Sequence, residues 1–108
     1  MPPGEEEKAR SFYAGILGVP EVAKPPELAQ RGGAWFESTA VKIHLGVERD
    51  FRAARKAHPG LLVEGLSELA VTLREAGYEV VDEPLGGRGR SYVNDPFGNR
   101  LELIEASP

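Results

Sequence analysis

Residues 95–105 read Asp-Pro-Phe-Gly-Asn-Arg-Leu-Glu-Leu-Ile-Glu and contain the clearest structural signal in the chain. Asp95 followed by proline favours the start of a turn, Gly98 permits a positive φ, and Asn99 tolerates a left-handed backbone. The alternation of apolar and polar residues from Arg100 to Glu105 then predicts a strand. We therefore predict a tight turn that leads into a strand, and we assign residues 95–99 to the scaffold and not to catalysis.

The same order of elements occurs twice along the chain. Two segments carry apolar residues at helical spacing, and each segment ends at a glycine, Gly18 or Gly77, which gives an offset of 77 − 18 = 59 residues. Each glycine is followed by a short extended piece, a loop that contains proline, and two further strands. The predicted helices place these residues on their apolar faces: Ala9, Phe12, Tyr13, Ile16 and Leu17, and then Leu66, Leu69, Ala70, Leu73 and Ala76. The predicted strands are Val19–Val22, Gly33–Glu37 and Val41–Val47 in the first half, and Tyr78–Val81, Arg90–Asn94 and Arg100–Glu105 in the second.

The second half contains one strand more than the first, His58–Val63, which precedes its helix. Subtracting the offset places its counterpart at about position −1, before the first residue of this sequence. We therefore predict an α+β fold made of two βαβββ modules, the first of which lacks its opening strand. The modules, residues 1–50 and 57–108, form a single domain and are joined by a short basic linker.

Length, charge and cysteine content exclude several classes of function. A chain of 108 residues with 41% hydrophobic content is long enough for one core and too short for two independent domains. The net charge of −4 argues against nucleic acid or an anionic membrane as the main partner. No apolar run is long enough for a membrane span, and the acidic N-terminal segment does not resemble a signal peptide, so we expect a cytoplasmic protein. Because there is no cysteine, any metal must be held by His and carboxylate ligands.

Three polar residues stand out by their position on the predicted strands. Side chains alternate between the two faces of a strand, so His44 points away from its apolar neighbours, and Glu102 does the same in the last strand. The repeat offset carries Glu102 to position 43, next to His44, and His58 begins the additional strand. Two imidazoles and a carboxylate can bind Zn²⁺, Ni²⁺, Mn²⁺ or Fe²⁺. Each residue also has a simpler interpretation, as a hydrogen-bonded or solvent-facing side chain.

Three motifs together resemble the vicinal-oxygen-chelate superfamily, which comprises glyoxalases, bleomycin-resistance proteins and extradiol dioxygenases. The motifs are residues 95–105, the segment Phe-Tyr-Ala-Gly-Ile-Leu-Gly at 12–18, and Ala-His-Pro at 57–59, so the resemblance covers essentially the whole chain. It implies a cupped mixed sheet with a divalent metal on its concave side. By resemblance His44, His58 and Glu102 are the metal ligands, and the fourth usual ligand has no counterpart in this sequence.

The resemblance implies a metal-dependent lyase, isomerase or dioxygenase. Such an enzyme acts on a small oxygenated metabolite and stabilises an oxyanion through Lewis-acid catalysis. Glu102 is the candidate catalytic residue, either as a ligand or as a base. Trp35, Arg90 and Tyr92 are candidates for substrate binding, although each can equally serve in packing or as a solvated charge. The alternative function is a metal-free, bleomycin-resistance-like protein that binds a small molecule.

An unpaired edge in the first module has a further consequence. Without an opening strand, Val41–Val47 exposes backbone groups that can pair with another chain. We therefore predict a homodimer, in which His44 of one chain can meet His58 and Glu102 of the other. The alternative that we favour for the missing strand is a natural chain that begins upstream of Met1.

Overall fold

The computed structural model describes residues 1–107 of the chain. These residues form two units, the first from Met1 to Arg52 and the second beginning at Ala53. The boundary lies within the predicted basic linker. Each unit contains its own sheet and its own buried side chains, and the two are described separately below.

The first unit begins with a helix whose hydrogen-bond pattern changes along its length. The helix α1 (Glu6–Ala9) is followed directly by a π-helical segment (Arg10–Ile16). In the wider turn, the N–H of Leu17 donates to the carbonyl of Phe12 at 2.9 Å. The predicted helix therefore exists and stops near the predicted glycine, Gly18, whose φ is +77°. The sequence did not predict the wider π-helical turn.

Three antiparallel strands follow in the first unit. They are β1 (Glu21–Val22), β2 (Ala34–Glu37) and β3 (Lys42–Leu45), and they lie in the order β1-β2-β3. Aromatic packing connects this sheet to the π-helical segment, because the rings of Tyr13 and Phe36 are 5.4 Å apart and both side chains are buried. Burial of side chains of this size supplies most of the stabilisation of such a small unit.

The structure adds one helix that the sequence did not predict. The segment between β1 and β2, predicted to be a loop with prolines, contains a single helical turn, α2 (Pro26–Ala29). Proline suits the first turn of a helix, because its fixed φ is helical and its missing N–H has no partner there in any case. The proline therefore starts a helical turn at this point.

Met1 continues the first sheet by a single residue. Its amino group donates to the carbonyl of Gly46 at 2.8 Å, and the N–H of Glu48 donates to the Met1 carbonyl at 2.9 Å. This pattern is that of a parallel strand partner placed opposite Val47. Within residues 1–107, the ladder along β3 itself is made with β2 alone. The sheet of the first unit thus contains no opening strand in the described chain, in agreement with the repeat arithmetic.

The second unit contains the complete module. Its elements are β4 (Gly60–Val63), α3 (Leu66–Glu75), β5 (Val80–Asp82), β6 (Arg90–Asn94) and β7 (Arg100–Glu105). The strand order is β4-β7-β6-β5, with β4 parallel to β7 and the other pairs antiparallel. The predicted mixed α+β architecture is confirmed, and the bounds of β6 and β7 coincide with the predicted ones.

The two faces of the second sheet differ in composition. The face that packs on α3 is buried, with Leu103 and the helix residue Leu73 both fully inaccessible to solvent. We call the opposite side the open face. Pairing between β6 and β7 places Tyr92 opposite Glu102 and Asn94 opposite Arg100. The described residues include no helix with the length and apolarity required to cross a membrane.

Candidate functional site

The strand register gives the two units corresponding polar positions. In the second unit, the aromatic residue Tyr92 lies opposite Glu102. In the first unit, the aromatic residue Trp35 lies opposite His44. Both pairs point away from the helix of their own unit, as the alternation of buried and accessible residues indicates. The predicted ligands on β3 and β7 therefore occupy equivalent places in the repeat.

The imidazole of His58 contacts two hydrogen-bond acceptors. Its Nδ1 lies 2.7 Å from the carbonyl oxygen of Lys56, and its Nε2 lies 2.9 Å from Oε1 of Glu102. A neutral imidazole has only one N–H, so it can satisfy only one of these acceptors. The Nδ1 proton must go to the carbonyl, since a carbonyl can only accept. With Nδ1 as the donor, Nε2 presents its lone pair to Oε1 of Glu102, and a cation between these two acceptors would stabilise the arrangement. His58 lies just before β4 and not, as predicted, at its first position.

Glu102 is an ionised carboxylate held from two sides. Its second oxygen, Oε2, accepts from Nη1 of Arg90 at 3.3 Å. The hydrogen bond to His58 has the largest effect and lowers the pKa of Glu102; burial opposes it, and the hydrogen bond to Arg90 adds to the lowering, so that the pKa lies below its ordinary value. The side chain is mostly shielded, with 17% of its surface exposed. A carboxylate paired with His58 and Arg90 thus lies on the open face of the second sheet.

Arg90 contacts protein groups through most of its guanidinium. It donates to the Glu83 carbonyl from Nε at 2.9 Å, and from Nη1 to Oη of Tyr92 at 2.7 Å in addition to Glu102. The hydrogen bond to Glu102 raises the pKa of Arg90 above its ordinary value. The sequence suggested Arg90 as a cation for an anionic substrate. The structure shows that it also contacts Glu102 and Tyr92 and can orient both side chains, and its role in substrate binding stays a prediction.

Arg100 is a cation that the sequence interpretation did not select. Its Cζ lies 4.0 Å from the centre of the Tyr92 ring, a distance typical of a cation–π contact. Its guanidinium has no hydrogen-bonding or ion-pair partner among residues 1–107. Strand alternation could have identified it, because Arg100 shares a face with Glu102 two residues later.

A pocket of about 430 Å³ lies beside Tyr92 and Arg100 in the second unit. A volume of this size suits a small molecule. The lining combines aromatic, acidic and basic side chains. Its polar and aromatic members are Tyr78, Glu79, Glu83, Tyr92, Asn94, Asp95 and Arg100.

His44 has a different environment in the first unit. Its ring stacks on Trp35 with the centroids 3.7 Å apart and the planes inclined by 1°. Its Nε2 lies 2.6 Å from Oε2 of Glu37. Trp35 thus lies against a candidate ligand, and both side chains retain access to solvent. The first unit therefore has its own accessible group of candidate site residues, Trp35 and His44.

The donor set fits a divalent metal in part. Among residues 1–107, no three His, Asp or Glu side chains come together as possible metal ligands. Of the predicted ligands, His58 and Glu102 lie in the second unit and His44 lies in the first. The contact from Nδ1 of His58 to a backbone carbonyl is the arrangement that commonly fixes the tautomer of a metal-binding histidine. Arg90 opposes a metal, because it places a positive charge on the same carboxylate.

Comparisons with known proteins identify the family. The family model described as "Glyoxalase/Bleomycin resistance protein/Dioxygenase superfamily" matches residues 2–103. No curated protein sequence matches. A crystal structure of a glyoxalase family protein from Bacillus anthracis is 44% identical, with a TM-score of 0.90 over 97% of this chain and 87% of that one.

More distant structures share the fold. A lactoylglutathione lyase from Agrobacterium tumefaciens is 18% identical, with a TM-score of 0.72 over 98% of this chain and 89% of that one. An antibiotic binding protein from Streptomyces sp. CB03234 is 20% identical, with a TM-score of 0.71 over 99% and 91%. The motifs, the module order and the family match agree, and the chain belongs to the glyoxalase, bleomycin resistance protein and dioxygenase superfamily.

Proposed function

We propose that the protein binds a divalent metal ion through His58 and Glu102, with His44 as a third protein donor. The observation that supports this proposal most directly is the environment of His58. Its Nδ1 is held by the Lys56 carbonyl, and its Nε2 faces a carboxylate oxygen at 2.9 Å, a pair of acceptors that a positive charge would hold together. A metal ion can supply that charge in place of a proton.

The proposed activity is that of a lyase, isomerase or dioxygenase on a small oxygenated metabolite. When bound, a divalent metal supplies Lewis-acid stabilisation of an oxyanion. The chain's own residues have separate roles: His58 and Glu102 present the donors, and Arg90 fixes the orientation of Glu102 by its hydrogen bond. Glu102 can alternatively act as a base, because its carboxylate can accept a proton, although its lowered pKa makes it a weaker base than an ordinary glutamate.

His44 enters the proposal through the repeat and the family resemblance. It occupies in the first unit the position that Glu102 occupies in the second. We propose that the protein forms a homodimer, in which His44 of one chain joins His58 and Glu102 of the other. The outer edge of β3, which pairs with no strand among residues 1–107, supports this association.

A metal-free binding function is the second candidate, and one contact favours it. The Arg90 guanidinium already lies beside Oε2 of Glu102, at 3.3 Å, and so neutralises the carboxylate without a metal. The accessible stacked pair of Trp35 and His44 would then offer a surface for a planar aromatic ligand. The shared fold with an antibiotic binding protein is compatible with this function.

Metal content distinguishes the two candidates. We expect chelator-free purified protein to contain, or to take up, a stoichiometric amount of Zn²⁺, Ni²⁺, Mn²⁺ or Fe²⁺ by elemental analysis and calorimetry. His58→Ala and Glu102→Ala should abolish this uptake, whereas Glu75→Ala, at the exposed end of α3, should leave it unchanged. Wild-type protein that neither contains nor takes up metal would contradict the first proposal. Failure of planar aromatic compounds to bind saturably would then contradict the second.

A further inference from the structure

We propose that the 430 Å³ pocket beside Tyr92 and Arg100 binds a small zwitterion that carries both a carboxylate and an amine. Arg100 and the Tyr92 hydroxyl would bind the carboxylate, and the side chains of Glu79 and Glu83 would bind the ammonium group. This inference deepens the proposed function, because it names a class of ligand for the same open face. Any role of that ligand in a reaction rests on the proposed function. The pocket lining includes neither His58 nor Glu102, so its binding can be measured independently of metal.

The stacking contact presents Arg100 as an anion-binding group. Its guanidinium lies over the Tyr92 ring with Cζ at 4.0 Å from the centroid, and a face held against a ring leaves the N–H groups at the edge of the plane available. Within residues 1–107 these N–H groups have no acceptor. A carboxylate can accept two of them side by side, which is the strongest form of hydrogen bond to arginine.

Tyr92 adds a second donor next to Arg100. Its Oη accepts the hydrogen bond from Nη1 of Arg90 at 2.7 Å. Because this contact occupies a lone pair of the oxygen, the hydroxyl hydrogen remains available for an acceptor in the pocket. The contact also fixes the position of the phenol. Arg90 therefore supports the ligand site indirectly, while Arg100 and Tyr92 contact the ligand.

The two glutamates in the pocket lining, Glu79 and Glu83, disfavour a ligand that carries only negative charge. Both residues are exposed, and neither carboxylate has an ion-pair partner in the described chain. Asp95 also lies in the lining, but its oxygens accept hydrogen bonds from the backbone of Phe97 and from Asn99. One available cation and two available carboxylates complement a ligand with charges of both signs.

Matched probes test this inference on the full chain by calorimetry in the presence of EDTA. The probes are 5-aminovalerate, valerate, which lacks the amine, and pentylamine, which lacks the carboxylate; norvaline provides a shorter separation of the two charges. We expect 5-aminovalerate or norvaline to bind saturably and at least about tenfold more tightly than either single-charge probe. No saturable binding of either zwitterion, or equal binding of pentylamine, would overturn the proposal.

Substitutions at Arg100 and Tyr92 test which side chains contact the zwitterion. Arg100→Met should weaken zwitterion binding by about tenfold or more while leaving pentylamine binding unchanged. The control Arg88→Met removes an exposed arginine that is outside the lining, and it should have no effect. Should Arg100→Met fail to fold in thermal unfolding, Tyr92→Phe decides, since it keeps the ring and removes only the donor. Unchanged affinity in the folded variant would refute the assignment. Because EDTA is present throughout, this result does not depend on whether the metal proposal holds.

Discussion

The imidazole of His44 lies flat on the indole of Trp35, with the two ring centroids 3.7 Å apart. The residues face each other across β2 and β3 in the strand register. Trp35 is the only tryptophan in the chain. Its fluorescence therefore reports on the environment of a proposed metal donor without labelling.

His44→Ala should shift the emission of Trp35 to longer wavelength, because loss of the stacked ring admits water to one face of the indole. Steady-state fluorescence at neutral pH measures this directly. Lys42→Ala is the matched control, since Lys42 lies on the same strand but pairs with Glu37 and does not stack on Trp35. An identical spectrum for wild type and His44→Ala would show that the rings do not stack in solution.

Arg90→Met should increase metal affinity by up to about tenfold, the factor that corresponds to one unit of pKa. The substitution removes the guanidinium from Oε2 of Glu102 and leaves its pairing with His58 in place. Calorimetric titration with Zn²⁺ or Mn²⁺ measures the change. Weaker metal binding in Arg90→Met would show that the orientation of Glu102 by Arg90 outweighs the repulsion between the guanidinium and the metal.

Gly33→Ala should reduce the free energy of unfolding by more than about 1 kcal/mol. Gly33 has φ of +84°, and a Cβ there would overlap the carbonyl oxygen of Leu45. Gly46→Ala is the control, because a Cβ at Gly46 meets no atom within 4 Å and its φ is not positive. Urea unfolding compares the two variants. Equal stabilities would show that β3 shifts to accommodate the methyl group.

Acid should destabilise the protein through carboxyl groups whose pKa is lowered in the folded state. The N–H of Gly33 lowers the pKa of Glu6, the Ser91 hydroxyl lowers that of Asp82, and the N–H of Leu66 lowers that of Glu105. A lowered folded pKa contributes stability that is complete above the unfolded value, about 4, and is lost as the pH falls through the folded value.

The free energy of unfolding in urea should therefore decrease from pH 5 to pH 3. Glu105→Gln should make this decrease smaller, because it removes the carboxylate that accepts from the first N–H of α3. Glu75→Gln should leave the pH dependence close to that of wild type. A decrease of the same size in Glu105→Gln would exclude Glu105 as a contributor.

The sequence predicted the strands of the second unit best. In Arg100–Glu105 the apolar and polar residues alternate as far as Leu103, and the buried Leu101 and Leu103 follow that alternation. The first unit was harder to predict. Both ends of Val41–Val47 fall outside β3, because the alternation continues beyond the four residues that pair with β2. The π-helical turn of Arg10–Ile16 was missed, since its apolar spacing is also that of an ordinary helix.

Alternation identified the face of each candidate site residue but not its partner. It placed Glu102 away from α3, and the structure agrees. Which arginine is available to bind a ligand depends on the side-chain conformation. Arg90 extends to Tyr92 and Glu102, whereas Arg100 lies on the Tyr92 ring. A long flexible side chain has several accessible conformations, and the neighbouring strands of the folded sheet determine which one it adopts. The participation of His44, His58 and Glu102 in one metal site stays a prediction.

The parallel pairing of Met1 with Val47 determines where the residues of an N-terminal affinity tag would lie. Residues fused ahead of Met1 would continue alongside β3, and the third of them would lie next to His44, since the register counts back from 47 to 44. A polyhistidine tag at this end would bring foreign imidazoles to a proposed donor and create metal uptake of its own. Metal analysis therefore requires untagged protein or a tag at the other terminus.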